Sequence, residues 1–587
     1  MVKLKIDNFD VEVKEGTSIL DAARSVQIDI PTLCKHPDVD PSAGCGMCIV
    51  KNNGRIMRSC CTPVSEGMEI VTNDADLRDI RKTVLELILS NHPNQCLTCM
   101  RSGQCELQDM AVQMGVDRDE IKKIVAPSEK DETTKAIVLD PAKCIVCGRC
   151  VDICQNVQNV WALSYLHRGL ATKITGANDA KLADSPCIKC GQCAAHCPTG
   201  AIVEYDETAQ VWDMLKDKEL VTVVQIAPAV RIALGEEFGY DFGKNLTGKI
   251  YAALRRLGFS KVFDTNFGAD LTIIEEASEF IRRFSAKDNL PMFTSCCPAW
   301  IDYIEKYHPD MLPNLSSCKS PHQMVGALVK TFYAQQIGVD ASKIRVVSVM
   351  PCTAKKWEIR RHESMSSSGY QDVDVVLTTR ELAKMIRQAG INFKGLKDEE
   401  ADSPLGEYSG AATIFGVSGG VMTAALRTAY FYLTGQELGT LNFKEIEGLE
   451  AVKVAEADIN GTKVRIAVVN GVGNVERVVE AIKTAAANGE EKPYHFVEVM
   501  ACPGGCIAGG GQPKVMMHGL PKPWGINDDI RKKRSKGLND EDEEAKNRLS
   551  HHNESIKKLY ETFLGKPGEG KAHELLHTKY RQRDLYK

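Results

Sequence analysis

The chain runs to 587 residues, more than one hydrophobic core organises, so several domains are expected. It is 43% hydrophobic and 26% charged, and 73 basic against 78 acidic residues leave a formal net charge of −5. That balance gives no reason to expect nucleic acid or an anionic membrane surface, and no uninterrupted apolar run is long enough to span a bilayer.

In chain order, residues 2–13 alternate apolar and charged (Leu4, Ile6, then Phe9, Val11, Val13), as a half-buried hairpin does. This start lacks the apolar core of a secretory signal, and the Arg-Arg pairs lie far from it, so a cytoplasmic chain is expected. Ser18 can cap a short helix whose apolar face is Ile19, Leu20, Ala22, Ala23 and Val26, with Pro31 ending that region. Residues 79–91 read as a second amphipathic helix, stopped before Pro93. The polar stretch 127–135 reads as a linker. From about 219 the texture alternates β-rich runs (LVTVVQIA, IRVVSVM, KVRIAVVN) with helical ones, as in an α/β domain. The last 60 or so residues are highly charged and read as solvated helices lying against a larger body. VRIAVVNGVGNVERVVEAI imitates a dinucleotide fold, but Glu476 stands at the third glycine position, so it is read as an ordinary strand-to-helix turn. No P-loop pattern is present, and no flavin or nicotinamide site is expected on this chain.

The sequence holds 22 cysteines. Disulfides suit small, exported domains, whereas many of these thiols sit two residues apart, the spacing of metal or cluster loops. Cys34, Cys45, Cys48 and Cys60 form a first group, with Cys61 competing for the last place. Four thiolates and flanking Gly44 and Gly46 suit a 2Fe–2S cluster, with zinc the alternative. His92, Cys96, Cys99 and Cys105 form a second. A lone histidine is usually filler, but His92 stands at a helix end just ahead of three cysteines, which favours ligation. Cys144, Cys147, Cys150 and Cys154 recur 43 residues later as Cys187, Cys190, Cys193 and Cys197. Each half is the two-cluster ferredoxin run, in which the fourth cysteine serves the other cluster. One 4Fe–4S cluster is therefore assigned to Cys144, Cys147, Cys150 and Cys197, the other to Cys187, Cys190, Cys193 and Cys154. Pro198 follows the second run, and Gln155 replaces it in the first. Cys296, Cys297, Cys352, Cys502 and Cys506 are dispersed through TSCCPAW, MPCTAKKWE and FVEVMACPGGCIAGGG, and Cys318 lies in SSCKSPHQM, as ligands converging on a buried catalytic cluster would be.

These three segments resemble the H-cluster signatures of the iron–iron hydrogenases. The front half is similar to the accessory-cluster region of the larger members, and the tail to their small-subunit-type wrap. The resemblance implies an α/β multidomain chain: a β-grasp 2Fe–2S ferredoxin-like domain (1–78), a His/Cys3 4Fe–4S domain (79–118), a two-cluster 4Fe–4S ferredoxin domain (136–208), an H-cluster catalytic domain (219–520) and a C-terminal helical wrap (521–587). It places the first group's fourth ligand at Cys60. It implies an H-cluster, a 4Fe–4S cube joined by one cysteine to a two-iron unit carrying carbon monoxide, cyanide and a dithiolate, besides one 2Fe–2S and three accessory 4Fe–4S clusters.

By position, Cys297, Cys352, Cys502 and Cys506 would hold the cube, Cys506 also bridging to the two-iron unit. Cys296 would pass protons along Glu276, Ser316 and Glu279; an unperturbed thiol near ~8.5 suits exchange near neutral pH. An exposed amphipathic face is the bland reading of the two glutamates. Lys355 would donate to a cyanide ligand, with Met350, Met500, Ala227, Pro228 and Phe415 lining the pocket. His322 stands where the family often has Gln, and Cys318 where it often has a small residue without a thiol. The implied activity is 2 H⁺ + 2 e⁻ ⇌ H₂. The front clusters also resemble the entry region of complex I's iron–sulfur subunit. They point to a catalytic subunit with flavin- and NAD(P)-binding partners, ferredoxin being a candidate second carrier in an electron-bifurcating complex. The alternatives are a monomeric ferredoxin-linked hydrogenase and a non-catalytic electron-transfer or H₂-sensing subunit.

Overall fold

In the computed structural model, which describes residues 1–125, 128–439, 448–459, 461–515 and 525–586, the alternation at the start becomes an antiparallel hairpin, Val2–Ile6 against Phe9–Val13. Leu4, Ile6 and Val11 are buried, while Phe9, beside the turn, is 59% exposed. The hairpin is one edge of a five-stranded sheet, in the order Phe9–Val13, Val2–Ile6, Glu69–Val71, Ile49–Asn52, Arg55–Arg58. The Ile19–Ser25 helix packs into its core, capped by Ser18 Oγ, which accepts from the Asp21 N–H at 3.1 Å. That helix ends at Ser25, well before Pro31, because the chain reverses through a left-handed Gln27. The second helix, Ala75–Ser90, begins four residues earlier than its apolar pattern suggests, because Asp74 caps Leu77.

The cysteine repeat folds around a two-stranded antiparallel ladder, Ile137–Leu139 with Ile202–Glu204. After Cys154 the chain stays helical to Val157, which Gln155 permits; after Cys197 the helix has already ended. Pro127 of the expected linker lies outside the described residues. The rest of that stretch is built into the ferredoxin fold: Asp131 bridges to Leu139, its carboxylate accepts from the Leu182 N–H at 2.7 Å, and Thr134 is buried.

Two mixed-layer sheets make the large domain. One is all parallel, in the order Lys261–Asp264, Val221–Ile226, Ile344–Met350, Val375–Thr378. The other runs Met292–Phe293, Phe496–Met500, Thr462–Asn470 in parallel, with Val452–Ile459 as an antiparallel edge. The near-continuous apolar strands are buried on both faces, as parallel strands require. The G-x-G stretch is a strand, a short turn and the Val475–Asn488 helix. Buried ion pairs join the ferredoxin region to this domain: Arg380 clasps Glu204 with two bonds of 2.9 and 2.7 Å, and Lys189 meets Asp302 at 2.5 Å. Removing one partner of such a pair strands a charge, so these contacts fix the relative placement.

The border between catalytic domain and tail falls outside the described residues. The tail is less solvated than its charge suggests. Its apolar positions, among them Leu538, Ile556, Leu559 and Leu576, are buried against the body, and Arg534 reaches Glu236 from a fully buried side chain.

Candidate active site and relay sites

Parallel strands end in a row of carbonyls with no further partner, and ligand crevices form outside those carboxyl ends. Here two sheets point such ends at each other. Ala227-Pro228 follows Val221–Ile226, and Pro351-Cys352 follows Ile344–Met350. Cys296-Cys297 lies beyond Met292–Phe293, and Ala501-Cys502 follows Phe496–Met500. All of these line one cavity, together with Met350, Lys355, Phe415, Met500, Cys506 and His322. The five cofactor-lining residues expected besides the four cysteines are all present in its wall.

Burial pushes the thiols of Cys297, Cys352, Cys502 and Cys506 upward, Cys352 to about 12, and neighbouring thiols add to the shift of Cys352, Cys502 and Cys506. Four mutually repelling, desolvated sulfurs are poor company for one another without a cation between them, which is the chemistry of an iron cluster's ligands. Lys355 Nζ lies 2.9 Å from Glu358 and 3.4 Å from the Cys296 carbonyl, and His322 Nε2 lies 2.7 Å from the same Glu358 carboxylate. Glu358 thus pins the ammonium at the cavity wall, and burial pushes the His322 imidazole down to about 4.

Cys296 departs from the expectation of an unperturbed thiol. Burial, then the Glu276 carboxyl, pushes it well above its ordinary value. Both glutamates sit on the Thr265–Ala286 helix and neither is exposed: Glu276 is 0% and Glu279 4% accessible. The exposed-face reading therefore fails. Glu276 is pushed up to about 8, chiefly by burial, with Glu279 adding to it and Ser316 opposing it. Ser316 Oγ lies 3.5 Å from Glu279 Oε2, a long contact. Glu279 is held from three further sides, by Arg283 at 2.5 Å, the Ser317 N–H at 3.0 Å and the Ser317 hydroxyl at 2.9 Å. Sequence reading missed Arg283, though its i,i+4 spacing from Glu279 announces the pair. It also missed Ser317, His577 and Glu275, which meet across 260 residues or more and leave no local signal. Cys318 is buried 3.9 Å from Glu279 Oε2.

In the N-terminal domain, Cys34 and Cys45 sulfurs lie 3.4 Å apart, and Cys60 shares hydrogen bonds with Cys34 and Cys48. Cys61 is exposed and turns to the Arg58 carbonyl instead. His92 is buried with Nδ1 unpartnered, and burial pushes it down to about 4, leaving a neutral ring able to ligate. Arg118, close to His92, donates to Cys96 Sγ at 2.6 Å, and Cys99 is an electrostatic neighbour of Cys105. Cys144, Cys147, Cys150 and Cys197 line one cavity; Cys154, Cys187, Cys190 and Cys193 line another. The donor sets thus fit iron–sulfur groups throughout.

The sites are close neighbours. Cys99 Sγ abuts Gly200, and the Glu106 N–H donates to the Pro198 carbonyl at 3.0 Å. Ser42 of the first domain donates to the Cys147 carbonyl at 3.1 Å. Gly191, beside Cys190, packs on Gly510 so tightly that a Cβ on Gly510 would collide with the Cys190 carbonyl.

Family models match along the chain: a 2Fe–2S iron–sulfur cluster binding domain over 1–75, the NADH-ubiquinone oxidoreductase-G iron–sulfur binding region over 81–120, and a 4Fe–4S dicluster domain over 143–201. The C-terminal domain of the iron-only hydrogenase large subunit matches 220–510, and the iron hydrogenase small subunit matches 528–583. The NADP-reducing hydrogenase subunit HndD of Solidesulfovibrio fructosivorans is 45% identical, the match covering 99% of each chain. Iron hydrogenase 1 of Clostridium pasteurianum is 42% identical over 99% of this chain and 100% of that one. Among solved structures, an apo [FeFe]-hydrogenase HydA1 from Chlamydomonas reinhardtii covers 65% of this chain and 100% of its own, with a TM-score of 0.56 and 38% identity. Similarity of that order from end to end makes this chain a member of the iron–iron hydrogenases, enzymes that act on H₂ at an H-cluster, and its N-terminal half adds 2Fe–2S and 4Fe–4S cluster domains.

Proposed function

We propose that the chain is the catalytic subunit of an NAD(P)-linked hydrogenase complex, with the cavity between the two sheets as its H₂ site. The observation that carries this reading is the convergence of Cys297, Cys352, Cys502 and Cys506 with Cys296 and Lys355 on a single apolar cavity. The four cysteines would hold the cube, and Cys506 would also bridge to the two-iron unit. When bound, the H-cluster supplies the open iron at which H₂ is made or split. Lys355, kept charged by Glu358, offers a hydrogen-bond donor to an anionic cyanide ligand. The thiol of Cys296 exchanges a proton with Glu276, and Ser316, Glu279 and Arg283 extend that path toward solvent. Met350, Met500, Phe415, Ala227 and Pro228 exclude water from the cavity.

The relay would be the set Cys34, Cys45, Cys48, Cys60; the set His92, Cys96, Cys99, Cys105; and the two crossed ferredoxin sets. The five segments 1–78, 79–118, 136–208, 219–520 and 521–587 are proposed as its domains. Partners binding flavin and NAD(P) are supported by the hydrogenase relative named as an NADP-reducing subunit. Ferredoxin as a second carrier would make the complex bifurcating. Among the described residues no helix is long and apolar enough to cross a membrane, and a cytoplasmic location is proposed.

The test is infrared spectroscopy of anaerobically purified, matured protein beside its Cys296→Ala variant. Carbonyl and cyanide bands are expected in both, with turnover cut by ~10² or more in the variant, the usual scale of a lost proton donor. Turnover that survives in Cys296→Ala would remove the thiol from the path.

A further inference from the structure

The C-terminal tail closes over the proton path rather than merely over the surface. Its strand-like end runs beside residues 317–319: the Thr578 N–H donates to the Ser317 carbonyl at 2.7 Å, and the Lys319 N–H to the Leu576 carbonyl at 2.8 Å. Tyr580 donates to the Ser316 carbonyl at 2.6 Å. These bonds set His577, 7% exposed, between two carboxylates of the Thr265–Ala286 helix. Its Nδ1 lies 2.8 Å from Ser317 Oγ, and its Nε2 lies 3.0 Å from Glu275 Oε2. The Ser317 hydroxyl lies in turn 2.9 Å from Glu279 Oε2. Glu275 is fully buried and also accepts from the Tyr560 hydroxyl and, at 2.6 Å, from the Gly568 N–H.

Hydrogen-bond accounting decides what this chain can carry. Ser317 has one hydroxyl proton and two neighbours, Glu279 Oε2 and His577 Nδ1, that want it. If the proton points at Glu279, the contact with Nδ1 is satisfied only when Nδ1 itself bears a proton. Glu275 already takes the proton on Nε2. Every bond is made when a doubly protonated His577 lies between Glu275 and an ionised Glu279, with Arg283 on the far side of Glu279. Every bond is made again when a neutral His577 accepts from Ser317 and Ser317 accepts from a protonated Glu279, so the two arrangements hold the same protons and differ only in where one of them rests. On the outer side, His573 is exposed and its ring stacks on His577 with centroids 4.6 Å apart, so the imidazole lies one side chain from water.

We propose that His577 is a second proton entry to the path, reloading Glu279 through Ser317. The inference rests on the reading of Glu279 as a member of the path. In the inward step, the His577 Nδ1 proton passes to Ser317 Oγ as the Ser317 hydroxyl proton passes to Glu279 Oε2. His577 is left neutral and Glu279 protonated, and no electrons move. The outward step is the reverse, and His577 then exchanges with water beside His573. Cys318, whose thiol also faces Glu279, borders the junction and takes no part in the transfer.

The test compares matured wild-type protein with His577→Gln, Ser317→Ala and Glu279→Gln. Electron paramagnetic resonance of the clusters reports folding and loading, and two readouts report the proton. One is the solvent deuterium isotope effect on H₂ evolution. The other is the infrared carbonyl stretch of protonated Glu279, identified by its absence from Glu279→Gln. Both His577→Gln and Ser317→Ala are expected to lower turnover roughly 10-fold, less than the ~10² or more of a sole donor because the Arg283 side stays open. Both should raise the isotope effect and change the Glu279 band. Ser317→Ala removes only a hydroxyl, so it stands if His577→Gln fails to fold. Wild-type rate, isotope effect and band in both variants, with Glu279→Gln inactive, would overturn the second entry and leave the path standing. Wild-type turnover in Glu279→Gln would overturn both.

Discussion

At the scale of single residues, what sets the chemistry of the pocket is how much water each group has lost. Glu276 is the clearest case. Its carboxyl ordinarily ionises near 4.5, and burial pushes it up to about 8, so in the folded protein it keeps its proton at neutral pH. The stability this proton contributes is fully present below the ordinary value and is lost as pH rises through about 8, while the proton itself stays bound up to about that pH. H₂ evolution should therefore hold steady through neutral pH and fall on the alkaline side of about 8, read from a kcat–pH profile with a reduced dye. Glu276→Gln keeps the neutral shape without the acidic proton and should cost ~10² at every pH. The sequence carried the names of these residues but not their states. An amphipathic helix pattern around Glu276 and Glu279 reads equally as a wet face. Only the packing of the tail and of residues 316–319 over that face shows it to be dry. The same holds for Cys296, whose ordinary thiol value is the one its surroundings deny it.

At the scale of elements, short-range patterns in the sequence fold where they lie. The C-x2-C runs, the hairpin at the start and the Ser18 cap are short-range patterns, and the chain forms them where the pattern lies. The Asp74 cap shows why boundaries slip: one side chain adds a turn before the apolar periodicity begins. The catalytic cavity is a different matter, since it depends on two sheets aiming their strand ends at one point, and no single segment encodes that. Gly191 and Gly510 bring the Cys190 loop and the catalytic segment into backbone contact. Gly510→Ala would push the Cys190 loop away from the catalytic segment. We expect a destabilisation of about 1–3 kcal/mol, the usual cost of overpacking. Dye-linked H₂ oxidation should drop while H/D exchange, which needs no relay, persists; thermal unfolding and an exchange assay check the two halves.

At the scale of the whole molecule, the buried ion pairs between ferredoxin region and catalytic domain hold the two-cluster sites and the pocket in one body. Exposed Leu97 and Met100, in and beside the Cys96–Cys99 loop, and Val112 on the next helix form apolar surface beside the His92, Cys96, Cys99 and Cys105 set, where the proposed complex would dock a partner. Size-exclusion chromatography from the native host should find the chain in a species well above its own 64.6 kDa. Elution as a lone chain would favour the monomeric, ferredoxin-linked alternative.

The Cys147 loop is touched by Ser42 from one entry domain, and the Cys197–Gly200 turn by Cys99 and Glu106 from the other. Both turns line a single cavity, so in the proposed relay the two inlets form a confluence rather than parallel lanes. Downstream of it there is one channel, and its capacity caps the sum of what the tributaries deliver. Two donors supplied together will then share a fixed current, each slowing the other, and which one wins will be settled by how readily it fills the junction, not by a private route to the pocket.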